Sequence, residues 1–392
     1  MKNVLYILIA LICISCSSNE KKTSIVDVES IPYDVSKVEK RVDLSSYIDT
    51  LDYEIVSLEV TENSLIADLT KIWIRNDKIF IYDNMTKGVF IFNRDGSYYN
   101  RVLAIGQGPG EYPPVINDAI VTQSHICIFS PVAEKIFLYD FDGKFDKTID
   151  LQGVWGDTFF TFDEKNYHVV NSWSNSKKGR YHFFQLMPDK NEVKTFLPFD
   201  KSAINNRRGW GLDNYYSIYK NRALALISTI DTIYEINSDN QITPLYAVDI
   251  VKDRIPRNLA EGDAHIALQR AIEEEYIIGV NQIMESSKYI FLTMSDRNVL
   301  IYDKNNKNVK VIGEEFEIPS WGNIRFRLDV LASIENDILI TATTASGCLM
   351  SKETLNSRVF KNKDFELKYK NALNRINCEE DNPILFIIKL KD

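Results

Sequence analysis

The chain has few of the residues that most often carry chemistry. Among 392 residues there are 4 histidines, 5 cysteines and 16 glycines. The histidines, His125, His168, His182 and His265, stand in no metal-ligand spacing, and there is neither a His-Glu-x-x-His nor a Cys-x-x-Cys pair. A Gly-x-Ser-x-Gly nucleophile elbow is also missing. No local zinc, redox or hydrolase signature is therefore present, and neither a metal nor another cofactor is expected. A basic excess is lacking too. Lys and Arg number 46 against 55 Asp and Glu, a net charge of −9, which argues against a nucleic-acid partner.

Long hydrophobic runs are also scarce. One stands at the start, MKNVLYILIALICISC, with Lys2 before an apolar stretch from Val4 to Ile14. It is too short for a permanent membrane span and fits the apolar part of a secretory signal. Ile14-Ser15-Cys16 resembles the bacterial lipobox, with Cys13 where Leu is usual, so cleavage before Cys16 and acylation of its thiol are expected. Acyl chains would anchor the protein to a membrane through buried methylenes. Ser17, in place of an inner-membrane retention Asp, points to the outer membrane, facing either the periplasm or the outside. The expected organisation is a signal over 1–16, a flexible tether over 17–38 and a folded body over 39–392. The body keeps Cys127, Cys348 and Cys378, which cannot all pair.

The body alternates short β-rich runs with turn residues. Ile79–Asp83, Gly88–Gly96 and Tyr98 recur 47 positions later as Ile126–Ser130, Lys135–Gly143 and Phe145. One offset for three features marks an internal repeat, and a period in the forties with several strands per unit predicts propeller blades. Asp95-Gly96 and Asp142-Gly143 are hairpin-turn dipeptides. Asp140 to Gly143 lacks the later ligands of a calcium loop, so it is read as a turn. Weaker copies follow at 167–186, 223–236, 289–302 and 338–341. The expected fold is all-β, a six-bladed propeller, with helices inserted at 258–276 and 365–376. The strands Tyr53–Leu58 and Pro383–Leu390 are expected to share one blade and close the ring.

The segments KIFIYDN and GVFIFNRDGSYYNRV, and above all Gly106-Gln107-Gly108-Pro109-Gly110-Glu111-Tyr112, resemble the six-bladed propeller lipoproteins of Bacteroidota, relatives of NHL-repeat proteins. Asp231–Tyr234 and Asp381–Leu385 resemble the same family. The resemblance implies a propeller in the cell envelope and adds little about chemistry, because propellers host both enzymes and binding scaffolds.

Candidate ligand contacts are loop residues. Gln107, Glu111 and Tyr112 belong to a Gly-Pro-rich turn that lacks the Lys-Ser/Thr of a phosphate loop. Trp155, Trp173, Trp210 and Trp321 lie near small polar residues, and an aromatic at a propeller mouth can stack on a sugar or anchor a protein. Arg207, Arg208, Arg325 and Arg327 can add hydrogen bonds to an acidic ligand. These residues favour a non-enzymatic, membrane-anchored module that binds a protein or a glycan. The alternative is an enzyme acting on carbohydrate or a small substrate in the axial cleft. Two close carboxylates in that cleft would favour the enzyme, and an aromatic lining without perturbed acids would favour binding.

Overall fold

The computed structural model describes residues 28–391 except 41, 200–210, 213, 261–263, 314 and 328–331. Cys16, Arg207, Arg208 and Trp210 lie outside the described residues. The chain forms a β-propeller. Its first sheet is a meander of Lys71–Arg75, Lys78–Asp83, Gly88–Asn93 and Tyr98–Val102. The second spans Asp118–Val121 to Phe145–Asp150, the third Thr158–Thr161 to Glu192–Pro198, the fourth Tyr216–Tyr219 to Ile242–Ile250 and the fifth Val280–Glu285 to Val309–Ile312.

The repeated apolar runs are the two middle strands of each sheet. Ile79 to Tyr82 and Val89 to Phe92 are fully buried on both faces, because sheets stack on either side. Such strands read as continuous apolar runs rather than as alternation. The turn chemistry also matches: Gly96 has φ +89° and Gly143 φ +78°.

Seven sheets are found where six blades were expected. The sixth sheet has three strands, Val42–Asp43, Glu315–Ile318 and Ile324–Arg327. Its strands are two to four residues long, and one comes from upstream of the first sheet, so it leaves no trace in the repeat. Phe316, Ile318 and Phe326 bury it in the largest apolar cluster, beside Trp321.

The seventh sheet joins Ala332–Glu335, Ile338–Thr343, Ile384–Leu390 and Ile48–Ser57, in that order. The early strand pairs antiparallel with the last one, Ile55 opposite Phe386. Over this sheet lie the expected helix, Lys363–Leu373, and a further one, Ala345–Thr354. Tyr53 donates to Asp364 at 2.7 Å, and the Asn362 side chain caps the helix by accepting from Phe365 N–H at 2.9 Å. The helix expected over 258–276 is found in two pieces, Arg257–Ala260 and Ala264–Glu273.

Part of the expected tether is structure. Glu29–Tyr33 adds to the fourth sheet as a fifth strand, parallel to Ile242–Ile250. Ile31 and Tyr33 alternate inward and are fully buried, and the Tyr33 hydroxyl donates to Asp296 at 2.6 Å. Five residues in a polar context gave too short a period to read. Cys127, Cys348 and Cys378 are all free thiols. Among the described residues, no helix is long and apolar enough to cross a membrane.

Candidate functional site

The innermost strands of six sheets converge on one axial cavity of about 290 Å³, and among the described residues the small sixth sheet contributes none to its lining. Side chains on a strand alternate, so Lys71, Trp73 and Arg75 share one face of the first inner strand. Trp73, Phe162 and Tyr216 give the cavity aromatic surface, with the buried Phe160 packed behind it, while Gln123, Asn214, Gln282 and Asn336 give it neutral hydrogen-bonding groups.

Its charges are held in specific ways. Lys71 Nζ lies 2.8 Å from both carboxylate oxygens of Asp118, which also accept from Ala119 N–H at 2.7 Å and from the Thr158 hydroxyl. Lys71, Asp118, Thr158 and Tyr216 are each the first residue of an inner strand, and Lys71 Nζ sits 5.5 Å from the Tyr216 ring centroid. Burial, with Asp118 as the next cause, pushes the Tyr216 phenol well above its ordinary value, so it stays neutral. Arg75 pairs with Glu335 and donates to the Ile74 carbonyl at 2.8 Å.

Glu164 accepts from Ser124 N–H at 2.9 Å, from the Ser124 hydroxyl, and lies 3.2 Å from His125 Nδ1. Burial works to raise its pKa, but hydrogen bonds from Ser124, Thr122 and His125 outweigh it and hold the carboxyl below its usual value. It is thus a carboxylate, unsuited to act as a general acid at neutral pH.

Residues 25–389 match a family model described as a domain of unknown function, DUF4934. The chain belongs to the DUF4934 family. No curated protein matches it. The DUF4934 chain is similar in structure to a protein of Bacteroides fragilis NCTC 9343 whose name calls it exported. That likeness has a TM-score of 0.70 at 18% identity and covers 93% of this chain and 100% of the other. It is also similar to a member of the DUF4221 family from Bacteroides vulgatus ATCC 8482. There the TM-score is 0.51 at 12% identity, over 86% of this chain and 97% of the other. At these identities the likeness concerns the fold alone.

The DUF4934 structure separates the residues picked out by sequence. Tyr112 is no surface ligand contact: it is fully buried, and its hydroxyl donates to the Lys87 carbonyl at 2.7 Å. Gln107 and Glu111 are exposed on the same turn beside a shallow hollow, away from the axial cavity. Glu111 accepts from Gly108 N–H at 2.7 Å, and Tyr139 donates to the Gly110 carbonyl at 2.6 Å, so the turn ties the first sheet to the second. Trp321 is likewise buried, stacked on Phe365 at 4.2 Å and donating to the Thr50 carbonyl at 3.3 Å. Trp173 packs against both His182 and Phe199, which also touch each other, and Trp155 is half-buried. Arg325 and Arg327 occupy the exposed positions of their strand in the sixth sheet.

The tryptophan that does line the cavity, Trp73, stands inside a strand and not in a loop, where aromatic ligand contacts are expected. The signal for it is Lys71-Ile72-Trp73-Ile74-Arg75, a strand with large polar or amphipathic residues at every second position. In a blade stacked on both faces, that pattern belongs to the axial strand.

Proposed function

We propose that the protein is an exported, membrane-anchored binding module that receives a small polar ligand, or a protruding unit of a glycan or protein partner, in its axial cavity. One observation carries this reading. The cavity is lined by aromatic faces and neutral amides, while Glu335 pairs with Arg75, the lining Lys71 pairs with Asp118 behind it, and Glu164 is held as a carboxylate by Ser124 and His125. Concave sites with apolar walls and a few placed polar groups suit small-molecule binding. A glycosidase-type reaction asks for a carboxylic acid held protonated, and Glu164 is shifted the other way. Export and anchoring are supported by the signal-like start, by Cys16 and by the exported structural neighbour. The pairing of Ile48–Ser57 with Ile384–Leu390 supports closure of the ring by the two ends of the chain.

Thermal unfolding of the mature chain against panels of sugars and small polar metabolites tests the reading. A saturable rise in Tm is expected with one ligand class, since a ligand bound only to the native state stabilises it by about 4 kcal/mol at a thousand times its Kd. A flat response to every class overturns it. For the anchor, the wild type is expected in the membrane fraction and Cys16→Ala in the soluble fraction. Identical fractionation of the two sinks the lipid-anchor reading.

A further inference from the structure

Among the described residues, two charged groups lining the axial cavity have no Lys, Arg, Asp or Glu of opposite charge beside them. Lys71 and Asp118 neutralise each other, as do Arg75 and Glu335. What remains is Glu164 on the third sheet and Lys220 on the fourth, both lining the cavity. Glu164 is held by Ser124 and His125, and no Lys or Arg pairs with it among the described residues. Lys220 makes no ion pair among the described residues either; its ammonium lies 5.1 Å from the Tyr219 ring centroid and is otherwise exposed. Each residue follows the inner strand of its sheet, Thr158–Thr161 or Tyr216–Tyr219, so the two stand at the same mouth on neighbouring sheets. The rings of Phe162 and Trp73 line the same cavity.

We propose that this cavity binds a small zwitterion of the free α-amino acid class, its ammonium at Glu164, its carboxylate at Lys220 and its side chain against the aromatic wall. The proposal rests on the binding reading above and names its ligand. Charge-assisted hydrogen bonds at both ends strengthen in a partly desolvated site. A ligand with only one of the two charges leaves the other protein charge uncompensated, which is a basis for discrimination. The volume, about 290 Å³, lies at the small end of ligand pockets, which suits a single residue-sized molecule.

Isothermal titration of the mature protein with four probe sets decides it: free apolar and aromatic amino acids, their amides, their N-acetyl derivatives, and neutral sugars. Saturable binding is expected for free amino acids, with the amide and N-acetyl forms at least about tenfold weaker, or about 1.4 kcal/mol. Lys220→Gln is expected to erase the preference for the free acid over the amide, and Glu164→Gln the preference over the N-acetyl form. Among the described residues Lys220 makes a ring contact and no ion pair, so its variant reports even if Glu164→Gln disturbs the turn at Ser124. Equal binding of free acid and amide, or an unchanged preference in Lys220→Gln, overturns the proposal. Binding of sugars alone overturns the zwitterion and leaves the binding reading standing. No binding by any probe removes both.

Discussion

Lys71 and Asp118 stand 47 positions apart, the interval of the sequence repeat, and meet at 2.8 Å across the first two sheets. They are the same structural position in consecutive repeat units, one basic and one acidic, joined next to the axis. Asp118 is almost completely buried. Removing its partner by Lys71→Met leaves an uncompensated buried carboxylate and is expected to cost about 3–5 kcal/mol. The double variant Lys71→Met, Asp118→Asn is expected to regain more than half of that loss. Urea denaturation of the three proteins checks it; a double variant as unstable as the single one removes the charge argument.

Trp321 offers no surface to a ligand and fills the core against Phe365. Trp321→Ala is expected to lose about 3–5 kcal/mol through the cavity it creates. Denaturation midpoints measure this, and a change below about 1 kcal/mol would contradict the packing described.

Gly96 turns the first hairpin at φ +89°, and a Cβ placed there would lie 2.2 Å from the Ser57 carbonyl oxygen. Gly96→Ala is expected to cost at least about 2 kcal/mol from backbone strain and overlap. At Gly211 an added Cβ would meet no described atom within 4 Å, so it serves as the control and is expected to tolerate Ala. Equal stabilities of the two variants would refute the close approach.

His168 is buried against Phe160, its ring centroid 5.0 Å away, and burial lowers its pKa to about 4. The unfolded chain takes up the proton near pH 6.5, whereas the folded chain does not until about pH 4. This contribution to stability is therefore complete above pH 6.5 and is lost as pH falls toward 4, by about 3 kcal/mol in all. His168→Gln is expected to flatten stability over that window. Identical pH profiles of variant and wild type would show that His168 titrates normally.

The strand Ile384–Leu390 pairs on both sides, with Ile338–Thr343 and with Ile48–Ser57. Deleting 385–392 is expected to abolish cooperative thermal unfolding, because the seventh sheet loses a middle strand and exposes two edges. A sharp transition at the wild-type temperature would show that this pairing does not hold the ring.

Ile79–Tyr82, Ile136–Tyr139 and Tyr289–Leu292 could be read as strands because each is buried on both faces and so is apolar at every position. The Asp-Gly turns were readable because left-handed backbone at Gly96 and Gly143 selects glycine locally. Those signals depend only on neighbours along the chain. Val42–Asp43 and Glu29–Tyr33 carried no such signal, since each is a strand only by parallel pairing with residues more than two hundred positions away.

By itself, then, the sequence determined the all-β repeat, its hairpin turns, its middle strands and the meeting of early and late strands in one sheet. The tertiary structure decided the number of sheets and the identity of the axial lining. It also decided that Trp321 and Tyr112 belong to the core, whereas Trp73, Glu164 and Lys220 face the cavity. Local backbone preference and burial pattern are written in adjacent residues. Which polar side chains share an axis depends on how separate sheets are stacked, and no stretch of neighbouring residues records it.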